Sequence, residues 1–240
     1  QPGGQGSQYI LAAVQHAVAL QQLVLVLVEQ QLPIVQVGDR ICHLLQIGRD
    51  MAAHDDAVGQ GVMCLFSSTI YSGRDIQKVN NFKIDAFEQK SFGCLGYMQD
   101  HEVYFFSKTF KIHTINSLFS KQTLCDLPAV GIAYFYAGAS CEILYALAQN
   151  HQGIILTGSG SGNYSQEWLQ TIEDLTKQGI VFVRCSRVAQ GIVFDDDIFD
   201  PHHCCIPGNT LTPQKARVLL MLALEYTHDY QKLREIFNEY

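Results

Sequence analysis

Gly158, Gly160 and Gly162 alternate through TGSGSGN, and the run closes on Asn163. Glycines so placed permit positive φ and let backbone N–H groups at a helix start approach a ligand, which suits carboxylates and phosphates. A dinucleotide turn needs G-x-G-x-x-G, whereas this one runs G-x-G-x-G. The following apolar run has no acidic residue to hold a ribose and offers Arg184 and Arg187, which suit a 2′-phosphate. The plainer reading is a tight strand-to-helix turn. A second group, His202, His203, Cys204 and Cys205, has zinc-ligand residue types. Adjacent residues do not wrap one tetrahedral ion, and the usual spacing of about two to four intervening residues is missing. A loop with free thiols fits better, and no metal site is assigned. Lys78, in GRDIQK, follows a buried run through a polar loop; such a lysine either lowers a neighbour's pKa or is a solvated charge.

The elements that must position these residues are legible around the glycine-rich turn. Ile154 to Leu156 is an apolar run, Trp168, Leu169, Ile172 and Leu175 recur at helical spacing, and Ile180 to Val183 is apolar again. This is a β-α-β unit with neighbouring parallel strands, whose carboxyl ends carry Thr157 to Asn163 and Arg184 to Arg187. Asn163 with Gln166 is expected to cap the helix, and Lys177 and Gly179 to end it. Upstream, Val130 to Tyr136 reads as a strand and Cys141 to Asn150 as a helix. Downstream, Thr212 with Pro213 opens a helix that is apolar almost all round, and Asp229 caps a last helix with Leu233, Ile236, Phe237 and Tyr240 on one face. Nearer the start, Gly61 to Phe66 reads as a buried strand, and FGCLGYM and EVYFF as short β segments.

Composition narrows the class. The 240 residues give room for one large or two modest α/β domains. A net charge of −7, with the basic residues scattered, excludes a nucleic-acid partner. The eight cysteines are mostly dispersed in a chain well supplied with apolar residues, which does not describe a disulfide framework. Tyr9 to Val28 is uncharged, but Gln15, His16, Gln21 and Gln22 interrupt it, so no membrane span is expected. No cleavable leader is expected, the first Lys or Arg being Arg40. The compartment is left between periplasm and cytoplasm. The first 65 residues lack Lys, Thr, Asn and Phe altogether, and Thr69 is the first threonine. Within them Leu11 to Leu20 reads as a helix, and Leu23 to Val28 and Leu32 to Val37 as strands.

STIYSGRDIQKVNNFKIDAF, the following FGCLGYM, LPAVGIAYFYAGAS, GIILTGSGSGN, VFVRCSRVAQG and GNTLTPQKARVLLMLAL together resemble the bacterial type II L-asparaginase/glutaminase family. They fall in the family's order and nearly its spacing, from about Gly59 to Tyr240. The resemblance implies a two-domain α/β amidohydrolase with parallel-sheet domains and no cofactor. On this chain it divides into a divergent segment 1–58, the remainder of the N-terminal domain 59–110, a linker 111–126 and a C-terminal domain 127–240. In the reaction it implies, a threonine hydroxyl attacks the side-chain amide of asparagine, or also of glutamine, ammonia leaves, and water hydrolyses the acyl-enzyme. Lys78 stands at the place of the activating lysine, and Asn163 at that of an asparagine that binds substrate in a neighbouring subunit's site. The implied assembly is a homo-oligomer, a dimer or tetramer.

Three departures accompany the resemblance. The family's two nucleophilic threonines, in a TGGTIA-like and a GTDT-like turn, have no counterpart in a chain whose first threonine is Thr69. The loop IVFDDDIFDPHHCC is shorter than the family's, leaving Asp197 as the candidate for its substrate-binding acid. An intact strand-turn start to the large domain is not found in the sequence, so its sheet is expected to be incomplete, with apolar edges exposed. The expectation is an asparaginase-type amidohydrolase with weak or no turnover, residues 1–58 being a divergent, rearranged or out-of-frame replacement. The alternative is a catalytically dead relative that binds an amino acid or joins the subunits of a complete paralogue.

Overall fold

The computed structural model describes residues 24–25, 46–83, 85–89, 92–121 and 126–240. The helix expected over Leu11 to Leu20 and the strand over Leu32 to Val37 lie outside the described residues. The chain forms two compact units, Gln1–Ser120 and Lys121–Tyr240.

In the first unit the sheet order is β1 (Val24–Leu25), β2 (Met63–Phe66), β3 (Thr69–Ser72), β6 (Gly96–Gln99), β7 (Glu102–Phe105). β1 runs parallel to β2, with Val24 beside Met63 and Leu25 beside Cys64. The other pairings are antiparallel, so this sheet is mixed. The cause is connection length: Ser67 and Ser68 alone join β2 to β3, and Asp100 and His101 alone join β6 to β7. A two-residue connection reaches only an antiparallel neighbour. Both pairs lie at positive φ, 47° and 58° then 49° and 71°, the turn geometry that follows strand twist. β2 is buried throughout, as its unbroken apolar run requires, whereas β6 alternates buried and exposed. Met63, Leu65 and Ile70 pack with Met51, from the helical segment α1 over residues 46–53, on one core; Cys64, Phe66 and Tyr71 form another. The polar stretch expected as a loop after β3 contains β4 (Gln77–Lys78), paired antiparallel with β5 (Phe87–Glu88).

In the second unit all four strands are parallel, in the order β11 (Cys205–Pro207), β10 (Val181–Ser186), β9 (Gly153–Gly158), β8 (Val130–Tyr134). Helices α2 (Glu142–Ala148) and α3 (Gln166–Lys177) connect β8 to β9 and β9 to β10; α4 (Pro213–Tyr226) and α5 (Tyr230–Glu239) follow β11. Leu144, Trp168, Ile172 and Leu175 pack with Ile154, Leu156 and Phe182. α4 packs against β8, β9 and β10, where Gly153 leaves room for it: a Cβ there would lie 2.6 Å from Leu220 Cδ2. The expected β-α-β unit is present with one correction. Ser165, not Asn163, caps α3, its Oγ accepting from Trp168 N at 3.3 Å. Asn163 is already committed to the turn before the helix, where it bridges Ser159. The C-terminal end is as expected, with Gly179 at φ 92° just beyond Gln178.

α4 is buried on one face only, through Ala216, Leu219, Leu220, Ala223 and Leu224, while Val218 is 52% exposed; the sheet covers one side of an almost wholly apolar helix. Its start is fixed by Thr212, whose Oγ1 accepts from Lys215 N, with Pro213 in the first turn. Thr212→Ala is expected to lower the unfolding free energy by about 1 kcal/mol and Thr212→Ser to retain most of it, measured by urea denaturation.

Candidate active site

The turn after β9 is folded onto itself. Ser159 N donates to Asn163 O at 3.0 Å, and Asn163 N to Ser159 O at 2.7 Å. Gly160 and Gly162 take φ of 51° and 91°. A Cβ on Gly158 would lie 2.2 Å from the carbonyl carbon of Gly162, and one on Gly162 would lie 2.9 Å from Arg184 Cγ. The glycines are therefore spacers that let backbone and an arginine stem meet. Asn163 leaves this turn half-buried, with its Oδ1 sealed from solvent and without a hydrogen-bond partner among the described residues. Thr157, the last buried polar residue of β9, has an equally unpartnered Oγ1.

Arg184, whose residue type would suit a 2′-phosphate, faces inward instead. It is 2% exposed. Its Nη1 donates to Ser161 O at 3.1 Å, its Nη2 donates to Phe194 O, and its Cζ sits 5.9 Å from the centroid of Phe199. The signal for this was present in VFVRCS: a parallel strand covered on both faces buries whatever stands in it, so its arginine must find acceptors inside. Arg187 is exposed.

Asp197 lies on the loop between β10 and β11, its side chain 84% exposed, with Oδ1 3.3 Å from His203 Nε2. His203 Nδ1 is 3.6 Å from Asp195, which also pairs with Arg234. Tyr230 donates from its hydroxyl to His203 O at 2.7 Å, so the loop is tied to α5. Asp200 is buried and accepts Cys204 N at 2.9 Å and Cys205 N at 2.7 Å. No cluster of His, Cys, Asp and Glu suited to a metal ion occurs among the described residues, and Cys64, Cys94, Cys141, Cys185, Cys204 and Cys205 are free thiols.

Lys78 lies in the first unit, exposed on β4 opposite Phe87, its Nζ 5.6 Å from the Phe87 ring centroid. Arg74 and Asp75 of the same motif form an ion pair, and Ser72 Oγ accepts Arg74 N at 3.2 Å. Thr69 opens β3, its hydroxyl donating to Ser67 O at 3.3 Å.

Comparison with known proteins follows the same division of the chain. The family described as Glutaminase/Asparaginase C-terminal domain matches residues 129–237, and that described as Asparaginase, N-terminal, matches residues 14–111. L-asparaginase 2 of Escherichia coli (strain K12) is 36% identical over 191 residues, 79% of this chain and 55% of that protein. Glutaminase-asparaginase of Pseudomonas fluorescens biotype A is 36% identical over 193 residues, 79% of this chain and 53% of that protein. The crystal structure of the probable cytoplasmic L-asparaginase from Campylobacter jejuni superposes with a TM-score of 0.81 at 34% identity, over 92% of this chain and 72% of that one. The chain spans about half the length of the curated relatives it matches.

Two measurements check this geometry. Gly158→Ala forces the turn apart and is expected to cost about 2 kcal/mol of stability, read by denaturant unfolding. Burial pushes the Cys185 thiol and the Tyr230 phenol up to about 12 and also raises Cys205. Unfolded thiols lose their protons from about pH 8.5. Above that pH the unfolded chain binds fewer protons than the folded one, so unfolding free energy is expected to fall as pH rises from about 8.5 toward 12. Urea titrations across that range test the sign.

Proposed function

The chain belongs to the glutaminase/asparaginase family, and on that premise we propose that it binds an amino-acid amide, asparagine or also glutamine, in a site of the asparaginase type. The chemistry is that of an amidohydrolase: a hydroxyl attacks the side-chain amide, ammonia departs and water releases the acid. Lys78 is the activating lysine. Asn163 and Asp197 are substrate-binding residues, Asn163 serving the site of a neighbouring subunit in a dimer or tetramer. Residues 59–110 complete an N-terminal domain, 111–126 link it to a C-terminal domain over 127–240, and 1–58 are divergent. The family match reaching back to residue 14 supports a diverged start over a replaced one.

The observation that carries the reading is Asn163 Oδ1, a buried acceptor without a donor among the described residues, just beyond the carboxyl end of a parallel strand. Such an atom costs about 1–3 kcal/mol unless something donates to it, and a turn of the Asn163 side chain toward the surface lets the ammonium or amide of a bound amino acid do so. Binding without turnover is the second reading, and it is favoured by the stretch 14–68, which the N-terminal family model matches and which holds no threonine.

Ammonia release from asparagine by the full chain, alongside Lys78→Ala, separates the two. Weak or absent release is expected. Lysine-dependent release at the level of an efficient amidohydrolase overturns the loss of turnover and makes Thr69 the hydroxyl to examine. Calorimetry with L-aspartate, the acid product, reads binding itself: heat is expected from wild type and not from Asn163→Ala. No heat from wild type removes the binding reading.

A further inference from the structure

Arg184 is a buried cation that forms no ion pair among the described residues, and its Nε has no acceptor there. Such a residue is a poor stabiliser, because desolvating a guanidinium is expensive and an apolar side chain of similar volume generally does as well. What it does have is direction. Its two terminal nitrogens reach two main-chain carbonyls far apart in sequence, Ser161 O in the glycine-rich turn and Phe194 O in the β10–β11 loop, and its plane lies by Phe199. Ser161 is two residues before Asn163, and Phe194 three before Asp197.

We propose that Arg184 is a positioning residue that fixes the spacing between the segments carrying Asn163 and Asp197. The inference rests on the reading of those two residues as substrate-binding. Arg184 itself is sealed beneath the site. The rigid fork matters here, since two N–H groups at a fixed separation set the gap between the carbonyls they hold, which the single flexible ammonium of lysine does not. Gly162 belongs to the same device, because any side chain there would occupy the arginine stem. The loop's other fastening is independent: Val193 N donates to Asn209 O at 3.0 Å, and His203 is held by Tyr230 and the flanking carboxylates. Removing Arg184 therefore loosens one specific distance and leaves both segments attached.

Arg184→Met and Arg184→Lys in the full chain test this with two readouts. Amide hydrogen exchange in Arg184→Met is expected to quicken by about tenfold or more in peptides covering 159–163 and 192–199, with β9 and β10 unchanged, as for a local opening. L-Aspartate affinity is expected to fall by about tenfold or more in Arg184→Met, on the scale seen when support around a binding residue is removed, and less in Arg184→Lys. The thermal midpoint should hold in both. Exchange unchanged in the two segments overturns the proposal. So does a rise spread over the whole unit in both variants, which marks a general stabiliser. Local quickening with unchanged aspartate affinity overturns the positioning role. A wild-type chain that binds no aspartate removes the substrate reading and the role for Arg184 in it, and the exchange pattern then shows separately whether the clamp exists.

Discussion

Six consecutive residue pairs join β9 to β10, from Gly153 beside Val181 to Gly158 beside Ser186. Because side chains alternate along a strand, that register decides which residues meet the α2 and α3 layer and which meet α4. It sends Ile154, Leu156 and Phe182 into the core under Trp168. It also brings the ends of both strands level, so that the turn leaving β9 and the loop leaving β10 emerge side by side. Arg187 N donates back to Gly158 O at 3.0 Å and Gly208 N to Arg184 O at 2.8 Å, extending the ladder past the last paired residues. A slip of one residue would send the guanidinium of Arg184 to the opposite face and leave the turn carbonyl without a donor.

Burial of polar groups in this unit follows two patterns. Asp200 and the cap hydroxyls of Ser165 and Thr212 are matched to backbone N–H groups and serve to end or begin an element. Arg184, Asn163 and Thr157 each keep one atom unmatched among the described residues, and all three stand in or just beyond the carboxyl halves of β9 and β10. Unmatched buried atoms are uncommon because each carries a desolvation cost. Of the four such atoms among this unit's described residues, three gather toward one end of a parallel sheet, the end where ligands of open α/β sheets are held; the fourth, Thr176 Oγ1, lies in the last turn of α3.

Much of the second unit was legible in the sequence because its signals are local. Thr212 with Pro213, Asp229, and the Lys177 to Gly179 helix end were each specified by neighbours in the chain and fold as expected. Asn163 misled as a cap because a bridge to Ser159, set by tertiary packing around Gly158, claimed its backbone first. The role of Arg184 needed partners 23 and 10 residues away, a distance that no local pattern reports. In the first unit, β4 and β5 are two residues each and too short to show a period, so a hairpin was read as a polar loop. The family itself was legible from the order of six segments, whereas the spatial relation of the segments carrying Asn163 and Asp197 was not written in any of them.

The clamp on the glycine-rich turn grips main chain. Ser161 offers Arg184 its carbonyl, which every amino acid possesses, and its own side chain projects to solvent. Gly158 and Gly162 cannot change without collision, and Gly160 is held by its backbone angle. Position 161 thus combines a fixed place with a free choice of residue. Evolution can vary the chemical character at the tip of this turn there, by size, charge or polarity, without renegotiating the architecture beneath.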